Sequence, residues 1–209
     1  MFFGLDSPFI RGINKVVMML YMGVLWFICS IPIITVGAAT SAMYEVFLQA
    51  IKNQEGYIGK SFFKAFKLNL KQGTKIWIPI LFAEVVFGIN IFYYGLLGGE
   101  AYKLQTAIFS ILFLVIRAVS AYIFAAVAKF ENSSFGHVKM AFILARQNWG
   151  WTLIIVFIQT LSLFLIWFFV YFPVLFIMGV TGYMEAIIFD HIFQRMIESG
   201  LIQERNQSY

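Results

Sequence analysis

Between Lys15 and Glu45 the chain carries no charge, and from Val16 to Val36 it is almost wholly apolar. A helix crossing a hydrocarbon core ~30 Å thick needs about 20 such residues, so this stretch is long enough to span a membrane. Pro32 disturbs it near the far end, because proline has no N–H to donate and its ring crowds the carbonyl one turn back. Gly37 and the small run Ala38, Ala39, Thr40, Ser41 and Ala42 follow. Small side chains let one helix lie close against another where lipid supplies no hydrophobic drive. The stretch predicts a span, a proline-glycine elbow at Pro32 and Gly37, and a short helix packed closely behind it.

The rest of the chain is built in the same idiom. Of its 209 residues 61% are hydrophobic and only 12% charged, whereas a soluble domain is about half apolar and a quarter charged. This composition describes a single integral membrane domain over residues 1–209. The apolar runs are continuous rather than alternating, which selects helices over a barrel and makes the fold all-α. Cys29 is the only cysteine, so no intrachain disulfide can form. The first span exceeds the ~7–15-residue core of a signal peptide. The net charge of +5 sits in connections beside spans, where it orients a membrane protein rather than gripping nucleic acid.

Three further spans are expected at Ile76–Leu97, Leu104–Ala128 and Trp151–Tyr171. Trp77 marks the interface, Gly98 and Gly99 close span two, and a loop of about five residues leads to span three, a normal hairpin length. Lys129 to Gly150 is expected to be a basic loop. Pro173 breaks span four, and a shorter apolar run, Val174 to Phe189, precedes a polar tail. Pro32, Gly37, Thr40 and Glu45 are echoed by Pro173, Gly179, Thr181 and Glu185, a weak internal repeat of the kind transporters use. If both post-proline helices cross, six crossings place the N-terminus, both basic connections and the C-terminal tail in the cytoplasm. With four crossings, Arg11, Lys15, Arg195 and Arg205 would face outside. The positive-inside rule favours a six-crossing bundle in the cell membrane, made of four long spans and two shorter post-proline helices.

Lys60, Lys64, Lys67, Lys71 and Lys75 recur at steps of four and three, so a helix sets them on one stripe. Phe62, Phe63, Phe66 and Leu70 fall away from it. The pattern predicts a helix in the headgroup plane, resting on the inner leaflet or docking a cytoplasmic partner.

Arg117 lies at the centre of span three. Arginine there costs ~2.5–3.5 kcal/mol on insertion scales, so it requires a partner. At 1.5 Å per residue, Glu84 is ~12 Å and Arg117 ~16 Å above the matching ends of their spans, a gap two long side chains close. Gln159 in span four lies at about the depth of Glu84. Glu84, Arg117 and Gln159 therefore form an expected polar layer, either a pair that fixes packing or a path for solute or protons. Asn90 is expected to bond a neighbouring helix. Glu45, Glu185, Asp190 and His191 share a pattern of acids on short helices, but His191 and His137 lack ligand-spaced companions, so neither a metal nor another cofactor is expected. Gly59-Lys60-Ser61 ends like a phosphate loop, yet Gln54 replaces its first glycine and no strand precedes it. No nucleophile–base pair appears, so no enzyme is expected. Asn132-Ser133-Ser134 matches a glycosylation acceptor but lies in an expected cytoplasmic loop.

Leu25-Trp26, Pro32 to Ala38, Ala42-Met43-Tyr44, Phe62 to Lys67, Asn69, Lys71 and Gln72 carry a resemblance to the YesL family of small bacterial membrane proteins. Val138 to Phe142, Ala145 and Arg146 add a looser echo. Members of that family tend to be encoded beside carbohydrate ABC importers. The resemblance implies an accessory, non-catalytic subunit of an oligosaccharide importer, in contact with its permease and ATPase subunits and the bilayer. It supplies no binding residues. The Glu-Ala-Ala docking motif of core permeases is absent, which suits an extra subunit. The alternative is a self-contained small-solute transporter or channel using the polar layer.

Overall fold

The computed structural model describes residues 8–52, 57–169 and 174–198. Within them the chain forms seven α-helices and one short 3-10 turn, with no strand. Helix α1 (Pro8–Ser30) ends two residues before Pro32, short of the expected Val36, because the residue ahead of a proline is pushed out of the helical region. The turn Ile33–Thr35 follows. Its Thr35 hydroxyl donates to the carbonyls of Cys29 at 2.6 Å and Pro32 at 2.7 Å, taking up acceptors that a helix end leaves orphaned. Helix α2 (Val36–Ile51) then runs through the centre of the molecule, buried at Gly37, Ala38, Ala39 and from Ser41 to Leu48.

Helix α3 (Ile58–Leu97) corrects two expectations at once. The lysine-bearing stretch is not a separate helix but the first half of α3, continuous with span two. Pro79 lies inside it and Gly73 does not break it. Forty residues rise ~60 Å, about twice a hydrocarbon core. The expected apolar face also divides. Phe62 is buried with Ala65, Asn69, Gly73 and Ile76, while Phe63 and Leu70 are exposed. Asn69 donates to Glu45 of α2 at 3.1 Å, and a Cβ on Gly73 would lie 2.8 Å from the Ala38 Cα. Protein, rather than the acyl boundary, covers this face, and the five lysines stand exposed opposite it. Trp77 is likewise no interfacial anchor. It is buried, donates to the Ile33 carbonyl at 2.7 Å, and packs on Phe124.

The turn to α4 (Glu100–Lys129) is tighter than the expected five residues: Gly98 and Gly99 make it, at φ of 64° and 92°, a region open to glycine but costly for residues with a Cβ. From Ala118 to Phe130 every residue of the chain is buried, so the end of α4 forms the core with α2. The expected basic loop instead holds α5 (Ser134–Gln147), whose Ser133 cap accepts from the Gly136 N–H at 3.0 Å. Asn90 does not reach another helix; it bonds the Val86 carbonyl of its own turn at 2.7 Å.

Helices α6 (Trp149–Phe169) and α7 (Val174–Glu198) complete the bundle. Pro173 lies outside the described residues. α7 runs well past the expected Phe189, and α1 crosses it with backbones almost touching. A Cβ on Gly23 would sit 1.8 Å from the Leu175 oxygen, and one on Gly179 would sit 2.0 Å from the Met19 oxygen. All helices except α5 carry stretches long and apolar enough to cross a membrane, six in total. The chain is thus an all-α polytopic membrane protein. The two post-proline helices are unlike, however: α2 has 16 residues and packs on α3, while α7 has 25 and packs on α1.

Candidate functional site

The expected polar layer begins with a real ion pair. The Arg117 guanidinium lies 3.5 Å from the Glu84 carboxylate, both side chains largely shielded. Gln159 does not join that pair directly. It meets Arg117 instead at the wall of a cavity of about 200 Å³ between α1, α2, α3, α4, α6 and α7. Trp26, Thr40, Tyr44, Trp77, Ser120 and Glu185 also line this cavity, and Glu84 does not.

Each wall residue is aimed by a local device. The Trp26 indole donates to the Thr40 hydroxyl at 3.0 Å, tying α1 to α2. The Tyr44 hydroxyl donates to Glu185 Oε2 in a short contact across 141 residues of sequence, and its ring meets Phe189 edge-on at 5.4 Å. Gln159 lies within hydrogen-bonding reach of the Glu185 carboxylate, and the Arg117 charge acts on both Glu185 and Tyr44. Ser120 and Ser162 turn their hydroxyls inward, onto the carbonyls of Arg117 and Gln159.

Three buried polar atoms on this wall have no partner among the described residues: Arg117 Nε, Gln159 Oε1 and Glu185 Oε1. Leaving a buried donor or acceptor unsatisfied costs about 1–3 kcal/mol, so three amount to about 3–9 kcal/mol. A fold stable by about 5–15 kcal/mol cannot carry that sum lightly. The cavity is therefore suited to polar contents, and at ~30 Å³ of liquid volume per water it has room for about half a dozen water-sized groups. Its wall holds one hydroxyl–carboxylate pair, Tyr44 with Glu185, and neither histidine nor cysteine is among the described residues that line it.

Other sequence candidates part company. Glu45 meets Asn69. Asp190 lies 3.4 Å from Lys129 and accepts from Gln194 at 2.6 Å. His191 packs on the Trp151 ring. Among the described residues no three such groups assemble into a metal site. Asn132 and Ser133, read as a glycosylation acceptor, build the start of α5. Tyr44 and Glu185 are the site residues that sequence reasoning failed to join to the layer; Glu185 shared with Arg117 the need of any intramembrane charge for a partner.

Fold and site together define a polytopic helical membrane protein with a cavity between its helices, mostly apolar in lining and bearing a few polar groups. Residues 19–91 match DUF624, a family of small membrane proteins described as of unknown function. The matched stretch holds Trp26, Thr40, Tyr44 and Trp77 of the cavity but stops short of Arg117, Gln159 and Glu185. No curated protein and no solved structure matches the chain.

Proposed function

We propose that this chain is a non-enzymatic solute-handling protein of the cell membrane, which takes a small polar molecule into the cavity beside Arg117 as a transporter or channel does. The observation that carries the reading is the convergence of three unpartnered polar atoms, on Arg117, Gln159 and Glu185, at one cavity of about 200 Å³. Buried polar groups that find no partner in the protein call for one from outside it, a water or a bound solute, and a concave site where several converge is where a solute would be held. In this reading the N-terminus, both basic connections and the C-terminal end of α7 face the cytoplasm. Purified protein in liposomes should exchange small labelled solutes faster than empty vesicles, and Gln159→Leu should slow that exchange at least tenfold. Equal exchange with and without protein, for all small polar solutes offered, refutes it.

A second reading, an accessory subunit of a carbohydrate ABC importer, draws on the resemblance to the YesL family. It is favoured by the lysine row of α3, exposed on the face opposite the one packed on α2. Such a row suits an acidic partner surface or anionic lipid. Co-purification of permease and ATPase subunits from native membranes, lost when Lys64, Lys67 and Lys71 are changed to glutamate, is the expected result. Recovery of the chain alone, with sugar uptake unchanged in a deletion strain, counts against it.

A further inference from the structure

We propose that two apolar grooves beside α5 hold the acyl chains of anionic phospholipid, with Lys75 and Arg146 gripping its phosphate end. The inference goes beyond the solute-binding reading and does not depend on it. One groove, of about 630 Å³, lies between α3, α4 and α5, and the other, of about 810 Å³, between α4, α5 and α6. Val115, Val119 and Phe142 line both, so the grooves flank one shared ridge. Leu112, Val115, Phe142 and Leu153 on their walls are exposed. Both grooves therefore open to the surroundings of the bundle, which in a membrane are lipid, and both volumes fall within the ~300–1,000 Å³ of ligand sites.

Length and charge select the occupant. The first groove follows α3 from Lys75 to Phe87, a rise of ~18 Å, close to the ~15 Å of one leaflet in a ~30 Å hydrocarbon core. Lys75 thus stands at one end of a furrow about one acyl chain deep. In the second groove Thr152 bonds both Tyr122 of α4 and the Ala145 carbonyl, which sets Arg146 beside that end of α4. Lys75 lies toward the same end, since Trp77 packs on Phe124. Among the described helices only α5 lacks a stretch able to cross a membrane. Its Phe135, Lys139, Phe142 and Arg146 recur at steps of four, three and four and are exposed. One face therefore mixes aromatic and basic residues, as a helix in the headgroup plane does. No acidic residue lines either groove or occurs in α5 or α6, and Glu84 of α3 faces Arg117. Among the described residues Lys75, Lys139 and Arg146 pair with no carboxylate. Cations without a counter-ion at the mouths of apolar furrows match an anionic headgroup on apolar chains. A zwitterionic headgroup brings its own cation to the same place and loses part of that attraction.

The test uses the full chain in phosphatidylcholine vesicles with spin-labelled lipids, whose immobilised fraction is read by electron paramagnetic resonance. Spin-labelled phosphatidylglycerol should associate at least fivefold more strongly than spin-labelled phosphatidylcholine. Lys75→Gln with Arg146→Gln should bring that ratio below twofold. Lys60→Gln with Lys67→Gln, an equal loss of charge away from the grooves, should leave it unchanged. Val115→Trp, at an exposed position on the shared ridge, should fill the furrows and lower the immobilised phosphatidylglycerol at least twofold. Equal association of the two lipids overturns the proposal. So does an equal drop in both glutamine pairs, the mark of a diffuse field, or full immobilisation in Val115→Trp, the mark of a headgroup held with no chain in the grooves.

Discussion

Substituting alanine for Gly179 tests the tightest contact in the bundle. The added Cβ would lie 2.0 Å from the Met19 carbonyl oxygen and 2.7 Å from its carbon. An ordinary carbon–oxygen contact begins near ~3.4 Å, so α1 and α7 must part by about 1.4 Å, and gaps of 0.5–1 Å already forfeit a quarter to a half of the dispersion well. Backbone stands on both sides, so no rotamer change relieves the clash. Overpacking costs about 1–3 kcal/mol where side chains can yield, and about 3 kcal/mol or more is expected here. Two controls grade the effect. A Cβ on Gly182 would meet the flexible end of Met43 at 2.5 Å, and one on Gly88 meets nothing within 4 Å. Equilibrium unfolding in mixed micelles should rank the alanine variants Gly179 least stable, Gly182 intermediate and Gly88 equal to or above the parent. A Gly179→Ala protein as stable as Gly88→Ala would refute a backbone-on-backbone crossing.

Three other expectations can be checked with the same preparation. Tyr44→Phe keeps the ring against Phe189 but removes the donor to Glu185, and should cost about 1.5–3 kcal/mol in unfolding free energy, the worth of a hydrogen bond to a charged group. Arg117→Leu strands Glu84; because the arginine side chain is 27% exposed, the cost should be about 2 kcal/mol, below the 3–5 of a fully buried pair. Adding Glu84→Leu should recover part of that loss, and strict additivity in the double-mutant cycle would deny any coupling. In a Cys29→Ser background, single cysteines at Lys67 and Lys139 should react with an impermeant maleimide from one face of the bilayer and a cysteine at Glu100 from the other; opposite faces for Lys67 and Lys139 would break the proposed topology.

The elbow was legible because proline and glycine act locally: Pro32 disfavours helix in the residue ahead of it, and the small run after Gly37 lets α2 lie close against α3. Arg117 was legible for a different reason, since an arginine in lipid must find a partner and Glu84 was within reach. The boundary inside α3 was misread. A lysine stripe followed by an apolar run looks like two elements, yet nothing between Lys75 and Ile76 interrupts the hydrogen-bond ladder, and Pro79 perturbs it without ending it. Helix α5 replaces an expected loop, and Ser133 ahead of residues that hold a helix to Gln147 is a usable cap signal. The pairing of Tyr44 with Glu185 left no trace. Helix–helix contacts across lipid have no sequence period of their own, and those two residues are brought together only by the way α2 and α7 cross.

That crossing explains why the cavity and the glycines belong to one design. On α1, Gly23 precedes Trp26 by three residues. On α2, Gly37 stands three and seven residues before Thr40 and Tyr44. On α7, Gly179 precedes Gly182 and Glu185 at steps of three. Residues three, four or seven apart share a helix face, so on each helix the residue that sets the distance to a neighbour lies one or two turns from a residue that lines the cavity. Gly23 and Gly179 fix α1 against α7, and Gly37 with Gly73 fixes α2 against α3. A methyl at any of them displaces a cavity wall as well as a packing surface. Hydrogen bonds weaken steeply within a few tenths of an ångström of their optimum, so a displacement near 1 Å is enough to part Tyr44 from Glu185 and Trp26 from Thr40. Gly23→Ala and Gly179→Ala should therefore abolish solute binding even in bilayers where enough folded protein remains to measure it, whereas Gly88→Ala should leave binding intact; a Gly179→Ala variant that folds poorly yet binds at full affinity would separate the cavity from the crossing.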